Sequence, residues 1–143
     1  MNAAEQARDF EITRKIAAVV NLFKSEFPDL RPDLKPWMND PDTQEWVDPD
    51  SIDLGFHFPG RSRLMQSRSI LIQIRLHEDA LEKIRRVIGV EAAGYDHQGL
   101  QWRFSTIDDW RFVGNTEPAP APAAQFKQVC RQVLELFNRD GSL

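Results

Sequence analysis

Two stretches of strict alternation occupy the middle of the chain. In Ile52-Asp53-Leu54-Gly55-Phe56-His57-Phe58 the apolar residues Ile52, Leu54, Phe56 and Phe58 fall on every second position, and in Ile70-Leu71-Ile72-Gln73-Ile74-Arg75-Leu76 the residues Ile70, Ile72, Ile74 and Leu76 do the same. Period two with β-branched and aromatic residues predicts half-buried strands, one face dry and one wet. Pro59-Gly60 follows the first run; Pro presets φ and Gly supplies a positive one, which is turn chemistry. A long hairpin over 52–76 is predicted.

The pattern turns helical at both ends. Phe10, Ile16, Val20, Phe23 and Phe27 recur at helical spacing within 3–27, with Pro28 ending the run because the residue before a proline leaves the α region. Phe126, Val129, Cys130, Val133, Leu134 and Phe137 form an unbroken i, i+3, i+4 stripe over 123–139. Between the hairpin and the last helix, residues 78–88 read as a short helix with Leu81, Ile84, Val87 and Ile88 on one side, capped by Gly89. Three shorter strands follow: 90–95, 100–106 with Trp102 and Phe104 inward and Gln101 and Arg103 outward, and 110–113. Turns are expected at 96–99 and at Asp108-Asp109. Residues 114–122, with Pro118, Pro120 and Pro122 alternating with Ala, read as a stiff extended spacer.

The element order predicts an α+β fold. It comprises an antiparallel sheet of about five strands, with long N- and C-terminal helices and one short middle helix packed on one face. The 143 residues fit a single domain over 1–143. Residues 28–51 interrupt the pattern with Pro28, Pro32, Pro36, Pro41 and Pro49, but they also carry Trp37 and Trp46. Large aromatics are depleted in disordered segments. An ordered wrap is therefore expected, and a lid over a binding groove is its sharper form.

Charge and composition narrow the function classes. The net charge is −4, which argues against general nucleic-acid binding. No apolar run reaches the ~20 residues of a membrane span, and Met1-Asn2-Ala3-Ala4-Glu5 shows neither a basic n-region nor an apolar h-region. Cys130 is the single cysteine; it sits on an apolar stripe and reads as a small buried hydrophobe. A cytoplasmic protein is expected.

Catalytic and ligand motifs are not legible. His57, His77 and His97 carry no spacing that converges three ligands on a metal. The acidic run Asp40, Asp42, Glu45, Asp48, Asp50, Asp53 lacks the ligand order, turn glycine and closing Glu of a calcium loop. Asp108 and Asp109 sit where turns favour Asp, and there is no glycine-rich phosphate cradle. No metal or other cofactor is expected, and the chain reads as a binding protein more than as an enzyme.

Charge segregation is the feature left over. Residues 28–60 hold eight acidic and two basic residues, whereas 61–86 hold seven basic and three acidic ones. Arg61, Arg63 and Arg68 cluster at the hairpin bend, while Gln73, Arg75, Gln101 and Arg103 fall on outward positions of strands. Arg is enriched at interfaces and matches carboxylates in a planar, two-bond geometry. Those seven residues, with Trp37 and Trp46 on the loop, are the candidate partner-binding set. An acidic segment of another protein is the expected ligand, and a hydrophobic remainder on the first helix would allow a homodimer. The rival reading is a small-molecule pocket or an enzyme site between the sheet and the 28–51 loop.

The stretches Gly55-Phe56-His57-Phe58-Pro59-Gly60, Ser69-Ile70-Leu71-Ile72-Gln73-Ile74-Arg75 and Gln101-Trp102-Arg103-Phe104-Ser105-Thr106 resemble small uncharacterised cyanobacterial proteins. The element order is similar to that of type III secretion chaperones, which have a long first helix, a split antiparallel sheet and a closing helix. Both resemblances imply a non-enzymatic, chaperone-like binding or assembly factor.

Overall fold

The computed structural model describes residues 1–37 and 47–139. Among them are α1 (Ala3–Gln6), α2 (Phe10–Glu26), β1 (Arg31–Asp33), β2 (Ser51–Ser62), β3 (Ser67–Glu78), β4 (Arg85–Asp96), β5 (Gly99–Ser105), β6 (Phe112–Gly114) and α3 (Pro120–Asn138). The strands form one six-stranded antiparallel sheet in the order β1-β2-β3-β4-β5-β6. Each strand pairs with its neighbour in sequence, which short connections favour.

The alternation of β2 and β3 works as expected. Leu54, Ile72, Ala92, Phe104 and Phe112 stand in register across five strands, and all five are buried. The stripes of both long helices pack on this face, through Ile12, Ile16, Val19 and Phe23 of α2 and Phe126, Val129, Cys130, Val133 and Phe137 of α3. Phe126 lies at the centre, with ring centroids 5.7 Å from Phe23, 5.8 Å from Trp102 and 5.5 Å from Phe104. Of the α2 stripe only Phe10, at 77% exposure, stays outside; the rest finds cover within the chain.

The middle helix expected over 78–88 does not exist; the stretch is the β3–β4 loop and the start of β4. The Asp79 carboxylate accepts from the N–H groups of Leu81 and Glu82, and the Asp79 N–H donates to the Ile84 carbonyl at 2.8 Å. Lys83 takes φ 60, and Leu81 is 94% exposed. Leu81 and Ile84 of the expected stripe lie in the loop, and Val87 and Ile88 lie in β4 at a β-bulge. Arg75 pairs with Gly89 and Leu76 with Val87, so Ile88 is an extra residue on β4. The bulge lets Val87 and Val90, three apart, both reach the core, while Ile88 is 55% exposed.

Three further expectations shift. Pro59-Gly60 is not the hairpin turn but lies inside β2, where the register slips between His57 and Ser62. The chain reverses over 63–66, with Gln66 at φ 50. The first helix is broken: Asp9 stands between α1 and α2 and caps the latter by accepting from Ile12 N–H. The proline-rich spacer is shorter, because Pro120 opens α3 and Pro122 is buried in its first turn. Proline is tolerated there because those N–H groups have no intrahelical partner. One strand, β1, had no signal in the pattern; its three residues Arg31-Pro32-Asp33 pair with Gly55–His57.

Candidate functional site

The face opposite the helices carries the polar residues of the strands. One row in register reads Gly55, Leu71, Ala93, Arg103, Val113; the next reads Asp53, Gln73, Glu91, Ser105. A groove of about 340 Å³ lies on this face, with Ala93 and Ser105 inside it and Arg75, Arg103, Arg111 and Asp108 around it. Small side chains at Ala93 and Ser105 make the depression; the longer ones wall it.

Charges that are segregated along the sequence meet in space. Arg75 is held by Glu91 at 2.6 Å and by Asp48 at 2.9 Å, with Gln73 Oε1 at 3.4 Å. Its charge is therefore balanced within the chain. Arg61 is likewise engaged, donating to Asp96 at 3.2 Å and to Gln66 at 2.7 Å. The Asp96 carboxyl sits below the usual carboxylate range, chiefly because the Gln98 N–H donates to it and then because Arg61 and Gln101 do. Arg111 pairs with Asp109 at 2.8 Å with both side chains well exposed, an arrangement of little strength in water. Arg103 differs from all of these: it is exposed and its guanidinium makes no ion pair or hydrogen bond among the described residues.

The predicted set therefore separates. Gln73, Arg75 and Arg103 share the groove. Gln101 does not point out: it is 7% exposed and bonded to Asp96 and Thr116, because the register slips between Gly94 and Tyr95. Arg63 and Arg68 are exposed at the hairpin end. Arg68, three residues before Leu71, lies on the order of 10 Å along β3 from the Arg103 row. Trp46 lies outside the described residues. Sequence reasoning left Ala93, Glu91 and Asp108 out of the site; cross-strand register brings Ala93 and Glu91 to the groove, and the turn after β5 brings Asp108.

Trp37 belongs to a different construction. Asp53 is fully buried and accepts from the Met1 ammonium at 2.9 Å, from Ser51 Oγ at 2.7 Å and from the Trp37 indole N–H. Asn2 exchanges two hydrogen bonds with the Trp37 backbone. A buried carboxylate needs such partners, and here they pin the chain around Met1 and Trp37 to β2. Trp37 is thus a fastening for the 28–51 segment, and the part of that segment after it is outside the described residues up to residue 46.

A groove of about 490 Å³ lies between the end of α2, the hairpin tip and the start of α3, with Phe27, Phe58, Leu64, Met65 and Pro122 in its lining. His57 bonds to Ser69 at 2.8 Å and approaches Asp33 at 3.5 Å. Among the described residues no three His, Cys, Asp or Glu side chains are grouped to hold a metal ion, and no helix is long and apolar enough to cross a membrane.

The structure defines an α+β protein whose sheet is covered by helices on one face and carries an arginine-bearing groove on the other. The chain belongs to a domain family of unknown function, whose model matches residues 4–139. No curated protein and no solved structure matches it.

Proposed function

We propose that this protein is a non-enzymatic, chaperone-like binding or assembly factor whose outer sheet face receives an acidic segment of another protein. The observation that carries the reading is Arg103, an exposed guanidinium without a partner among the described residues, beside a shallow groove. Arg75 and Gln73, locked together with Glu91 and Asp48, form a rigid wall next to it. A carboxylate arriving at Arg103 makes a charge-assisted, two-bond contact that needs no existing pair to break. Cover of the α2 stripe within the chain favours a different protein over a second copy as the partner. The single cysteine fits a cytoplasmic setting.

The test is binding of a fluorescent glutamate-rich peptide at two salt concentrations. Arg103→Ala is expected to weaken binding about tenfold, close to 1.4 kcal/mol, whereas Arg63→Ala at the hairpin end leaves it unchanged. Equal binding of neutral and acidic peptides, or equal loss in both variants, would refute the reading.

A further inference from the structure

The sheet has two edges, and they are built differently. At one, β1 carries Pro32 in its middle, and proline has no N–H to offer a neighbour. The start of the β2 edge is covered by the N-terminus, where Asp53 N–H donates to the Met1 carbonyl at 2.9 Å and Asn2 bridges to Asp53. The other edge is β6, which has neither proline nor lysine among Phe112, Val113 and Gly114. Such an edge is a template for a further strand.

Register determines which groups that edge presents. The Gln101 and Ser105 carbonyls accept from Thr116 N–H and Trp110 N–H, so the odd-numbered residues of β5 direct their backbone groups toward β6. Arg103 and Val113 are then the hydrogen-bonded pair. Phe112 and Gly114, one step to either side, turn their N–H and C=O groups to the open side, since the direction alternates along an antiparallel strand. A groove of about 570 Å³ runs along this open side, between β6 and the first turns of α3, lined among others by Arg111, Glu117, Pro120, Ala123 and Lys127. Arg111 borders this groove and the outer-face groove alike.

We infer that β6 accepts an extended segment of the partner protein as a seventh strand, with acidic and apolar side chains in alternation. The inference rests on the reading of the outer face as a receptor for an acidic segment, and it supplies the geometry of that contact. Residues of the added strand level with Val113 stand on the outer face. Their carboxylates meet Arg103 two strand spacings away, about 10 Å between backbones, a gap that an Arg and a Glu side chain span together, and they come beside Arg111, whose exposed pair with Asp109 is weak in water. The residues between them point into the groove toward Pro120, Ala123 and the aliphatic stem of Lys127, which suits apolar side chains. The first turn of α3 has no acidic residue and no side-chain cap, so the positive end of the helix adds to Lys127, with Glu117 opposed and Arg111 shared with Asp109. A second copy of the chain offers no such complement, because its own β6 carries no carboxylate.

The probe is an eight-residue peptide alternating Glu and Val, with two versions N-methylated on one or the other set of alternate residues. Titrated into the full chain, the plain peptide is expected to slow amide exchange at Phe112 and Gly114 about tenfold or more. Methylation of the set facing β6 should weaken binding about tenfold or more, and methylation of the other set should be tolerated. If the plain peptide binds through Arg103 while the two amides exchange unchanged and both methylated forms bind alike, strand addition is wrong and the outer-face reading stands. If no form binds, both readings fall. If protection at Phe112 and Gly114 rises with protein concentration in the absence of peptide, the edge pairs with a second copy and the inference is overturned.

Discussion

Gly94 and Trp102 face each other in register across β4 and β5, and the indole fills the space above the glycine. A β-carbon on Gly94 would stand 2.3 Å from Trp102 Cε2. The indole N–H donates to the Met65 carbonyl at 2.7 Å, tying the tip of the β2–β3 hairpin to β5. Trp102 is fully buried and edge-on to Phe112 and Phe126, so it has no room to retreat.

Gly94→Ala is therefore expected to destabilise the protein by about 1–3 kcal/mol through overpacking. Urea unfolding followed by tryptophan fluorescence measures it. A midpoint equal to that of the native chain would show that the indole moves freely, contrary to its hydrogen bond and ring contacts.

Asp53→Asn tests the fastening of the N-terminus and of Trp37. The substitution keeps the shape but removes the charge that faces the Met1 ammonium. A loss of about 1.5–3 kcal/mol is expected, the range for hydrogen bonds to charged groups. Proteolysis near residues 1–9 should also quicken. Unchanged stability together with unchanged proteolysis would mean that this carboxylate holds nothing in place.

Phe137→Ala tests the packing of the last helix. The ring is 2% exposed, with Lys15 Nζ 5.7 Å from its centroid. Truncation of a buried Phe costs about 3–5 kcal/mol. If the urea midpoint does not move, the end of α3 is no part of the core.

Cys130 supplies a chemical probe of the same helix. Burial pushes its thiol up to about 12, and the thiolate is the reactive form. At pH 8 the native protein should resist an alkylating reagent, while protein in strong urea should react at once. Rapid native-state reaction would show that α3 lifts away from the sheet.

Asp96 makes stability depend on pH in a defined direction. Its carboxyl is held below the ordinary 3.8, first by Gln98 N–H and then by Arg61 and Gln101. The unfolded chain therefore takes up the proton at a higher pH than the folded one. The stabilisation is complete above about pH 5 and is lost as pH falls through 3.8 toward the folded value. Asp96→Asn should destabilise at pH 7, and its difference from the native chain should shrink by pH 2.5. A difference that stays constant across that interval would remove Asp96 as its source.

Sequence alone determined the dry faces of the sheet and the stripes of the two long helices. Ile52, Leu54, Phe56, Ile70, Ile72, Ile74 and Leu76 alternate because a strand turns its side chains by half a revolution each residue, and all seven are buried. The stripe from Phe126 to Phe137 was legible because 3.6-residue periodicity needs no knowledge of what the helix packs against. Arg103 was legible as outward for the same reason that Trp102 and Phe104 were legible as inward.

Only the tertiary structure decided the rest, because the rest depends on pairing between distant residues. The apparent helix over 78–88 became a loop closed by Asp79 and then a strand with a one-residue bulge at Ile88, since periodicity carries no record of where a chain turns or a ladder slips. A second slip, between Gly94 and Tyr95, buried Gln101. Arg75 looked free until Asp48, 27 residues earlier, closed on it, and Asp53 looked like one more acidic loop residue until Met1 and Trp37 covered it. Cross-strand register also placed Ala93 beside Arg103 and left β6 at the sheet edge among the described residues, and with these the groove and the open edge came into being.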